Sequence, residues 1–223
     1  MTEKKAVQKI SLLFDIIPSK MRNIITALIL SCLCCQSVLA DNNRILSADN
    51  LVAKMMVDVE SILAQDISDE VARTIKVSAL FDRYFDLPTI AKFSAGPYWR
   101  TADATQRATY QTAIRNVIIG TVVRNFDQLS EFKFTPTSSA AKGKKLVLVN
   151  GVFTPVNKEQ PVIRVGWRVL THDTELPRIL DVEIENISML VTQKQENMAI
   201  VRKNKGKFSV LIDVMKQRSE SND

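Results

Sequence analysis

The sequence predicts an α+β fold, in which N-terminal helices pack on a curved four-stranded antiparallel sheet and further helices follow at the C-terminus. Apolar residues recur at helical spacing in the first half of the chain, and between residues 132 and 186 they alternate with polar ones as in strands. The predicted strands follow one another with short connections, which favours an antiparallel meander. Helices combined with an antiparallel sheet that has one apolar face are typical of α+β layer folds.

The first 40 residues have the organisation of a secretory signal peptide. A basic stretch that includes Lys20 precedes a run of ten almost entirely apolar residues, 24–33, and small residues precede a cleavage point after Ala40. The apolar run is shorter than the roughly 20 residues that a membrane span needs. Met21 is an alternative start, because the residues before it only lengthen the basic region. We therefore expect a periplasmic protein that begins at Asp41.

All three cysteines, Cys32, Cys34 and Cys35, lie in this segment. Structural zinc is typically bound by four ligands in spaced pairs, and the only histidine, His172, is far along the chain, so we expect no metal site. A lipoprotein anchored at Cys32 is the alternative to cleavage, although Leu30 stands where a lipidation motif prefers a small residue. After cleavage the chain has no cysteine and cannot form wrong disulfides, which suits an oxidising compartment.

Residues 41–217 are predicted to form a single domain, and residues 218–223 a flexible tail. The domain is long enough to bury a sizeable core. The net charge of the whole chain is +6, and half of it lies in residues 1–40, which hold five Lys or Arg and two Asp or Glu. Such a mildly basic domain does not indicate binding to nucleic acid.

Four helices are predicted before the sheet. Ser47 and Ser68 are the expected N-caps of the first two, because each precedes an apolar repeat of helical spacing. The third is short and has Pro88 in its first turn, where proline is tolerated. Thr101 or Asp103 is expected to cap the long fourth helix.

Strands are predicted over residues 132–140, 144–155, 160–173 and 177–186. In the third, four apolar residues share one face and Arg164 and Arg168 the other. In the fourth, Leu180, Val182 and Ile184 alternate with Asp181, Glu183 and Glu185. We expect these acids to form a solvated face opposite the two arginines, rather than a catalytic or metal-binding pair. Ser188 is the expected cap of a C-terminal helix that Gly206 divides in two.

The sequence offers few signs of catalysis. It has no Gly-x-Ser-x-Gly, no phosphate-binding loop and no dinucleotide fingerprint. His172 stands beside Asp173 and Glu175 in a predicted turn, which favours an exposed residue over a general base. We therefore expect no catalytic residues and no enzyme activity.

Residues 85–114, FDLPTIAKFSAGPYWRTADATQRATYQTAI, resemble the core motif of the MlaC-type periplasmic phospholipid carriers, also called the toluene-tolerance auxiliary family. The residues that carry this resemblance are Asp86, Gly96, Trp99, Arg100, Gln106, Arg107 and Tyr110. Residues 179–201 resemble the second signature of the family, through Asp181 and Ser188, and residues 206–216 resemble its closing helix. Departures include Ala95, Asn186 and Pro177, where the family usually has Leu, Gly and Trp.

The resemblance implies an NTF2-like cone that holds phospholipid acyl chains between helices and sheet. It makes the apolar faces of the long helix and of the third and fourth strands candidate lipid-binding surfaces. These residues are Ile114, Val117, Ile118, Val122, Ile163, Val165, Trp167, Val169, Leu180, Val182 and Ile184. For Trp99 and Arg100 we expect structural roles, with Trp99 packed under the long helix and Arg100 bonded to a carboxylate or carbonyl.

The resemblance also implies a carrier that shuttles phospholipid between outer- and inner-membrane complexes and so maintains outer-membrane lipid asymmetry. Its expected partners are an inner-membrane ABC-type lipid transporter and an outer-membrane lipoprotein–porin complex, with phospholipid as cargo and no cofactor. Three alternatives stay open at this point: an NTF2-like small-molecule-binding enzyme, a hopanoid-associated lipid-binding protein and an interaction module with a filled core.

Overall fold

The structure, a computed structural model, describes the backbone of residues 19–65, 67, 69–157, 160–171 and 176–220, and the side chains among them from residue 41 onward. The chain divides into two compact units, Met1–Asn43 and Arg44–Asp223. In the first unit, the described backbone is helical. No helix in the described part has the length and apolar content of a membrane span. The predicted cleavage site and His172 lie outside the residues whose side chains are described.

Six α-helices and two short 3-10 helices account for the helical part of the described residues. The α-helices are α1 (Ser19–Leu63), α2 (Glu70–Tyr84), α3 (Leu87–Ser94), α4 (Ala104–Arg124), α5 (Met189–Lys203) and α6 (Phe208–Glu220), and the 3-10 helices are Gly96–Arg100 and Asp127–Glu131. The last helix, α6, continues to Glu220, so residues 218–220 of the predicted tail are helical.

Two of the predicted helix starts differ in the structure. Ser47 caps nothing, because α1 runs through it, and the α1 sequence contains neither Gly nor Pro to end the helix before that point. Ser68 lies outside the described residues. The cap of α2 is Asp69, whose carboxylate accepts a hydrogen bond from the backbone N–H of Val71 at 3.0 Å.

The remaining predicted caps are confirmed. Asp103 caps α4 through a reciprocal capping box, in which Gln106 N–H donates to the Asp103 carboxylate at 2.8 Å and the Gln106 side chain accepts from the Asp103 backbone at 3.1 Å. Ser188 Oγ accepts from the first turn of α5 at 3.0 Å. Gly206 separates α5 from α6 with φ of 79°, in the left-handed region that favours glycine.

The sheet is an antiparallel meander in the order β1-β2-β3-β4-β5. Its strands are β1 (Phe132–Lys142), β2 (Leu146–Pro155), β3 (Ile163–Leu170), β4 (Arg178–Ile184) and β5 (Ile187–Ser188). The fifth strand was not predicted. It exists because Glu185 and Asn186 take positive φ values of 49° and 64°, which allow a two-residue turn to return the chain beside β4.

An irregularity in the pairing of β3 with β4 corrects the predicted face of β4. Arg168 pairs with Asp181, but the neighbouring Val169 pairs with Ile179, so Leu180 is an extra residue between these two pairs. Ile179, and not Leu180, therefore shares a face with Val169, and Ile179 is fully buried.

Two apolar clusters stabilise the fold. The first lies between α1, α2 and α4 on one side and the sheet on the other, with Val52, Val77, Val123, Val147 and Trp167 among its buried members. The second lies among α3, α4, α5 and α6, with Ala91, Ile114, Val201 and Leu211 among its members. The long helix α4 contributes to both clusters, because it is apolar on two sides.

Candidate functional site

The helix-facing side of the sheet is an apolar surface formed by alternate residues of adjacent strands. On β2 these residues are Val147, Val149, Gly151 and Phe153, and on β3 they are Ile163, Val165, Trp167 and Val169. The register pairs each β2 residue with a β3 residue of the same set, so all of them share one face. The helices of the first cluster cover this face.

Three aromatic rings lie together on this surface. The ring of Phe134 is 5.4 Å from that of Phe153 and 6.5 Å, edge-on, from that of Trp167. Gly151 makes this arrangement possible, since a Cβ there would lie 2.3 Å from Cε2 of Phe134. A glycine inside a strand often marks such a close approach. The position of Gly151 within the predicted second strand is therefore a feature of the sequence from which this close approach could have been expected.

Trp167 is the central residue of this surface. Its side chain is 8% exposed. In the described part of the chain, its Nε1 atom is buried without a hydrogen-bond partner. The strand residues directly opposite it, Val149 and Val182, are apolar.

Polar contacts hold the helices to one end of the sheet. Arg44 of α1 donates to Thr171 Oγ1 at 2.9 Å and to two backbone carbonyls of the β1–β2 hairpin, both at 3.1 Å. Arg178, the first residue of β4, donates to the backbone carbonyl of Asp82 in the last turn of α2 at 2.9 Å. We call this end, formed by the β1–β2 hairpin and the start of β4, the clamped end.

The other end of the sheet has exposed apolar side chains. It is formed by the start of β1, the end of β2, the start of β3 and the β4–β5 turn, and we call it the open end. The exposed residues there are Val156, Val162, Ile184 and Ile187, which are between 41% and 71% exposed. Half-buried Phe134 and Phe153 pack against the first cluster at this end. Ile184 pairs with Val165 and Ile187 pairs with Ile184, so the helix-facing side of the sheet ends in exposed apolar side chains.

The predicted lipid-binding residues do not form one surface, because they lie in both apolar clusters and at the open end. Val165, Trp167 and Val169 are buried in the first cluster, and Ile118, Val122 and Val182 are half-buried against it. Ile114 is buried in the second cluster and Val117 packs against it, so these two do not face the sheet. Ile163 and Leu180 are half-buried, and Ile184 is exposed at the open end.

The family-motif tyrosine, Tyr110, belongs to a buried polar network. Its hydroxyl is 2.8 Å from Ser94 Oγ and accepts a hydrogen bond from Asn197 Nδ2, also at 2.8 Å. Burial raises the pKa of Tyr110 to about 12. The network connects α3, α4 and α5, and sequence reasoning missed both Ser94 and Asn197, because their partners lie on other elements.

Asp181 does not lie on a solvated face as predicted. Its side chain is 1% exposed, and Oδ2 is 3.3 Å from Nη1 of Arg168, which confirms that the acid faces that arginine. The same carboxylate accepts from Ser188 Oγ at 2.5 Å and from the backbone N–H of Leu190 at 2.9 Å. Asp181 is therefore a structural residue that fixes the start of α5 to the sheet. Glu185 pairs with Arg164 at 2.6 Å, and hydrogen bonds from Arg164 lower its pKa.

Residues of the core motif, 85–114, make contacts that stabilise the fold. Asp86 caps α3 by accepting from Thr89 N–H at 3.0 Å. Arg107 donates from Nε to the Trp99 carbonyl at 3.0 Å, and its guanidinium lies 5.6 Å from the centre of the Trp99 ring. Arg100 is exposed and accepts from Arg107 through its own backbone carbonyl at 3.3 Å. The arginine that bonds to a carbonyl is thus Arg107 and not Arg100 as predicted.

Gly96, the glycine of that motif, has φ of 60° and lies beside α5, where an added Cβ would be 3.2 Å from Met198 Cγ. Trp99 is half-buried against the second cluster, which includes residues of α4.

A groove of about 930 Å³ lies between α2, α4 and α6. Its lining is rich in hydroxyl groups and charges, with Thr74, Ser78, Thr109, Thr112, Arg115 and Lys216 among the residues. This lining suits a polar molecule or water better than an acyl chain. In the part of the chain that the structure describes, no group of three or more His, Cys, Asp or Glu side chains could hold a metal ion.

Comparison with known proteins identifies similar sequences and folds. Residues 49–217 match the family model described as MlaC protein. A solved structure of a phospholipid-binding protein from Ralstonia solanacearum, in complex with a phospholipid, aligns with a TM-score of 0.64 and 16% sequence identity, and covers 80% of this chain and 98% of that one. No curated protein matches the sequence. The structural likeness confirms the predicted α+β fold class.

Proposed function

Because the chain belongs to the MlaC family, we propose that it is a carrier that binds phospholipid acyl chains between its helices and the helix-facing side of its sheet. One observation carries the proposal: on the apolar face that includes Val165 and Trp167, Val165 pairs with Ile184, which is 41% exposed at the open end, so this face reaches solvent. The Ralstonia protein was solved with a phospholipid bound, and we carry that ligand class over to this chain.

The arrangement of polar contacts suggests how the acyl chains enter. Arg44 and Arg178 hold helices and sheet together at the clamped end. At the open end, half-buried Phe134 and Phe153 are the side chains that an entering acyl chain displaces. The fold then opens as the helices move away from the sheet at the open end, while the clamped end stays closed.

The energetics explain why such a protein works as a carrier. Burying a chain of ~16 carbons is worth roughly 12 kcal/mol at about 0.8 kcal/mol per CH₂. Leaving a bilayer costs about the same, so exchange between membrane and carrier is near neutral while unassisted release into water is slow. The carrier therefore needs docked partners that offer an apolar path.

The partners and location are further parts of the proposal. The signal-peptide pattern that ends at Ala40 supports export to the periplasm, with lipidation at Cys32 as the alternative. An inner-membrane ABC-type transporter and an outer-membrane lipoprotein–porin complex are the proposed donors and acceptors, and the proposed role is maintenance of outer-membrane lipid asymmetry. We propose no enzymatic activity, since Asp181 and Glu183 lie on the face of the sheet opposite the helix-facing side that we propose binds lipid.

Mass spectrometry of the protein purified without detergent tests the proposal. We expect a diacyl phospholipid to co-purify at about one molecule per chain. A lipid-free protein that also fails to take up phospholipid from vesicles would contradict the proposal.

A pair of tryptophan substitutions tests where the lipid binds. Val165 faces the helices and is 5% exposed, whereas Val152 of β2 points to the opposite face of the sheet. Val165→Trp should abolish lipid binding while the fold is retained by circular dichroism, because the larger side chain fills the surface that the helices leave when an acyl chain enters; overpacking of the lipid-free state should cost about 1–3 kcal/mol. The matched control Val152→Trp should retain lipid. If Val165→Trp folds and binds lipid as the wild type does, the acyl chains do not bind on this face and the proposal fails.

A further inference from the structure

A buried nitrogen atom that has no hydrogen-bond partner lies on the proposed binding surface. Among the described side chains, Trp167 Nε1 is the buried nitrogen or oxygen that has no hydrogen-bond partner. Buried polar groups in folded proteins are nearly always paired, because an unpaired buried donor is unfavourable. A phenylalanine at this position would supply most of the same apolar contact without the unpaired donor.

Among the residues that the structure describes, none offers an acceptor within hydrogen-bond distance of Trp167 Nε1. Val149 and Val182 are its neighbours across the sheet, and Phe134 lies edge-on to its ring. An acceptor for this N–H therefore has to come from a molecule that enters the apolar interior.

A phospholipid carries suitable acceptors at defined positions. Its hydrocarbon tails have none, and the first acceptors along the molecule from the tails are the ester carbonyl oxygens. Trp167 is four residues from the start of β3 at the open end, a distance of about 13 Å at about 3.3 Å per residue. An ester carbonyl at Trp167 directs the glycerol and headgroup toward the open end and solvent.

We propose that the indole N–H of Trp167 donates a hydrogen bond to an ester carbonyl oxygen of the bound phospholipid. This inference rests on the proposed function and adds to it a selectivity: the protein binds diester phospholipids in preference to diether phospholipids. The two lipid classes share tails and headgroup and differ in the carbonyl groups that Trp167 recognises.

Binding of two matched lipids measures this selectivity. Dioleoyl phosphatidylglycerol and its dioleyl diether analogue are titrated against the wild-type protein and the Trp167→Phe variant. We expect the wild type to bind the diester about threefold to tenfold more tightly, the effect of one neutral hydrogen bond. In Trp167→Phe the preference should disappear through weaker diester binding, while diether binding stays the same.

Trp99→Phe is the matched control, because Trp99 packs against the second cluster and contacts Arg107. This variant should keep the diester preference. It also leaves Trp167 as the only tryptophan, so that its emission should move to longer wavelength with the diester and stay in place with the diether. This second readout does not depend on the folding of Trp167→Phe.

The outcomes separate the role of Trp167 from the carrier function. Equal affinities in the wild type, an unchanged preference in Trp167→Phe, or equal weakening of both lipids would overturn the role of Trp167 and leave the carrier function intact. Failure of the wild type to bind either lipid would instead refute the proposed function.

Discussion

Removing the carboxylate of Asp181 should destabilise the fold strongly, although this residue lies outside the proposed binding surface. Its side chain is 1% exposed and accepts hydrogen bonds from Ser188 Oγ and the backbone N–H of Leu190, besides pairing with Arg168. In Asp181→Ala, the start of α5 loses two of these bonds and Arg168 loses its nearest partner. Arg168 is one-third exposed, so water partly compensates its charge. We estimate a loss of about 3 kcal/mol in the free energy of unfolding.

Thermal unfolding followed by circular dichroism measures this effect. For a domain of this size, about 3 kcal/mol corresponds to a fall of about 6–12 °C in melting temperature. Glu183→Ala is the matched control, because Glu183 also faces Arg168, at 3.8 Å, but its side chain is 24% exposed. Its loss should cost less than about 1 kcal/mol. If Asp181→Ala melts as high as Glu183→Ala, Asp181 is not the structural anchor of α5.

Three further predictions follow from other parts of the molecule. Gly151→Ala should cost about 1–3 kcal/mol in urea unfolding, because the new methyl group meets the ring of Phe134; an unchanged stability would mean that the ring does not pack there. Tyr110 has a folded-state pKa raised to about 12, above the unfolded value of about 10, so its contribution to stability is complete below pH 10 and falls as pH rises toward 12. The stability gap between the wild type and Tyr110→Phe should therefore narrow in urea titrations above pH 10, and a constant gap would contradict the burial of the phenol. N-terminal sequencing of exported protein should start at Asp41, whereas a lipidated Cys32 would show that the chain is a lipoprotein.

Local patterns in the sequence predicted most of the elements correctly. The change from helical to alternating spacing near residue 132 marks the start of β1, and Asp103 and Ser188 cap the helices as expected. These features depend on residues close together in the chain, such as a capping side chain and the first turn that it caps. The start predicted at Ser47 is wrong for the same reason, because a capping residue alone does not end the helix that precedes it.

Features that depend on distant residues were not predictable in this way. The irregular pairing between β3 and β4 moves Leu180 out of register, and only the partner strand determines where it occurs. The apolar stripe of α4 could not show that Ile114 packs in the second cluster while Ile119 packs in the first. Likewise, the close approach of Phe134 to Gly151 joins two strands, and the sequence does not show which group lies against the glycine.

Photo-crosslinking with a phospholipid that carries a diazirine near the end of one acyl chain tests the central claim most directly. The labelled lipid is loaded onto the purified protein, irradiated, and located by peptide mass spectrometry. We predict crosslinks to helix-facing residues of β2 and β3 on the clamped-end side of Trp167, such as Val147 and Val169, and to the helices that cover them. Crosslinks confined to the polar groove between α2, α4 and α6, or to residues on the opposite face of the sheet such as Val152, would show that acyl chains do not bind between the layers.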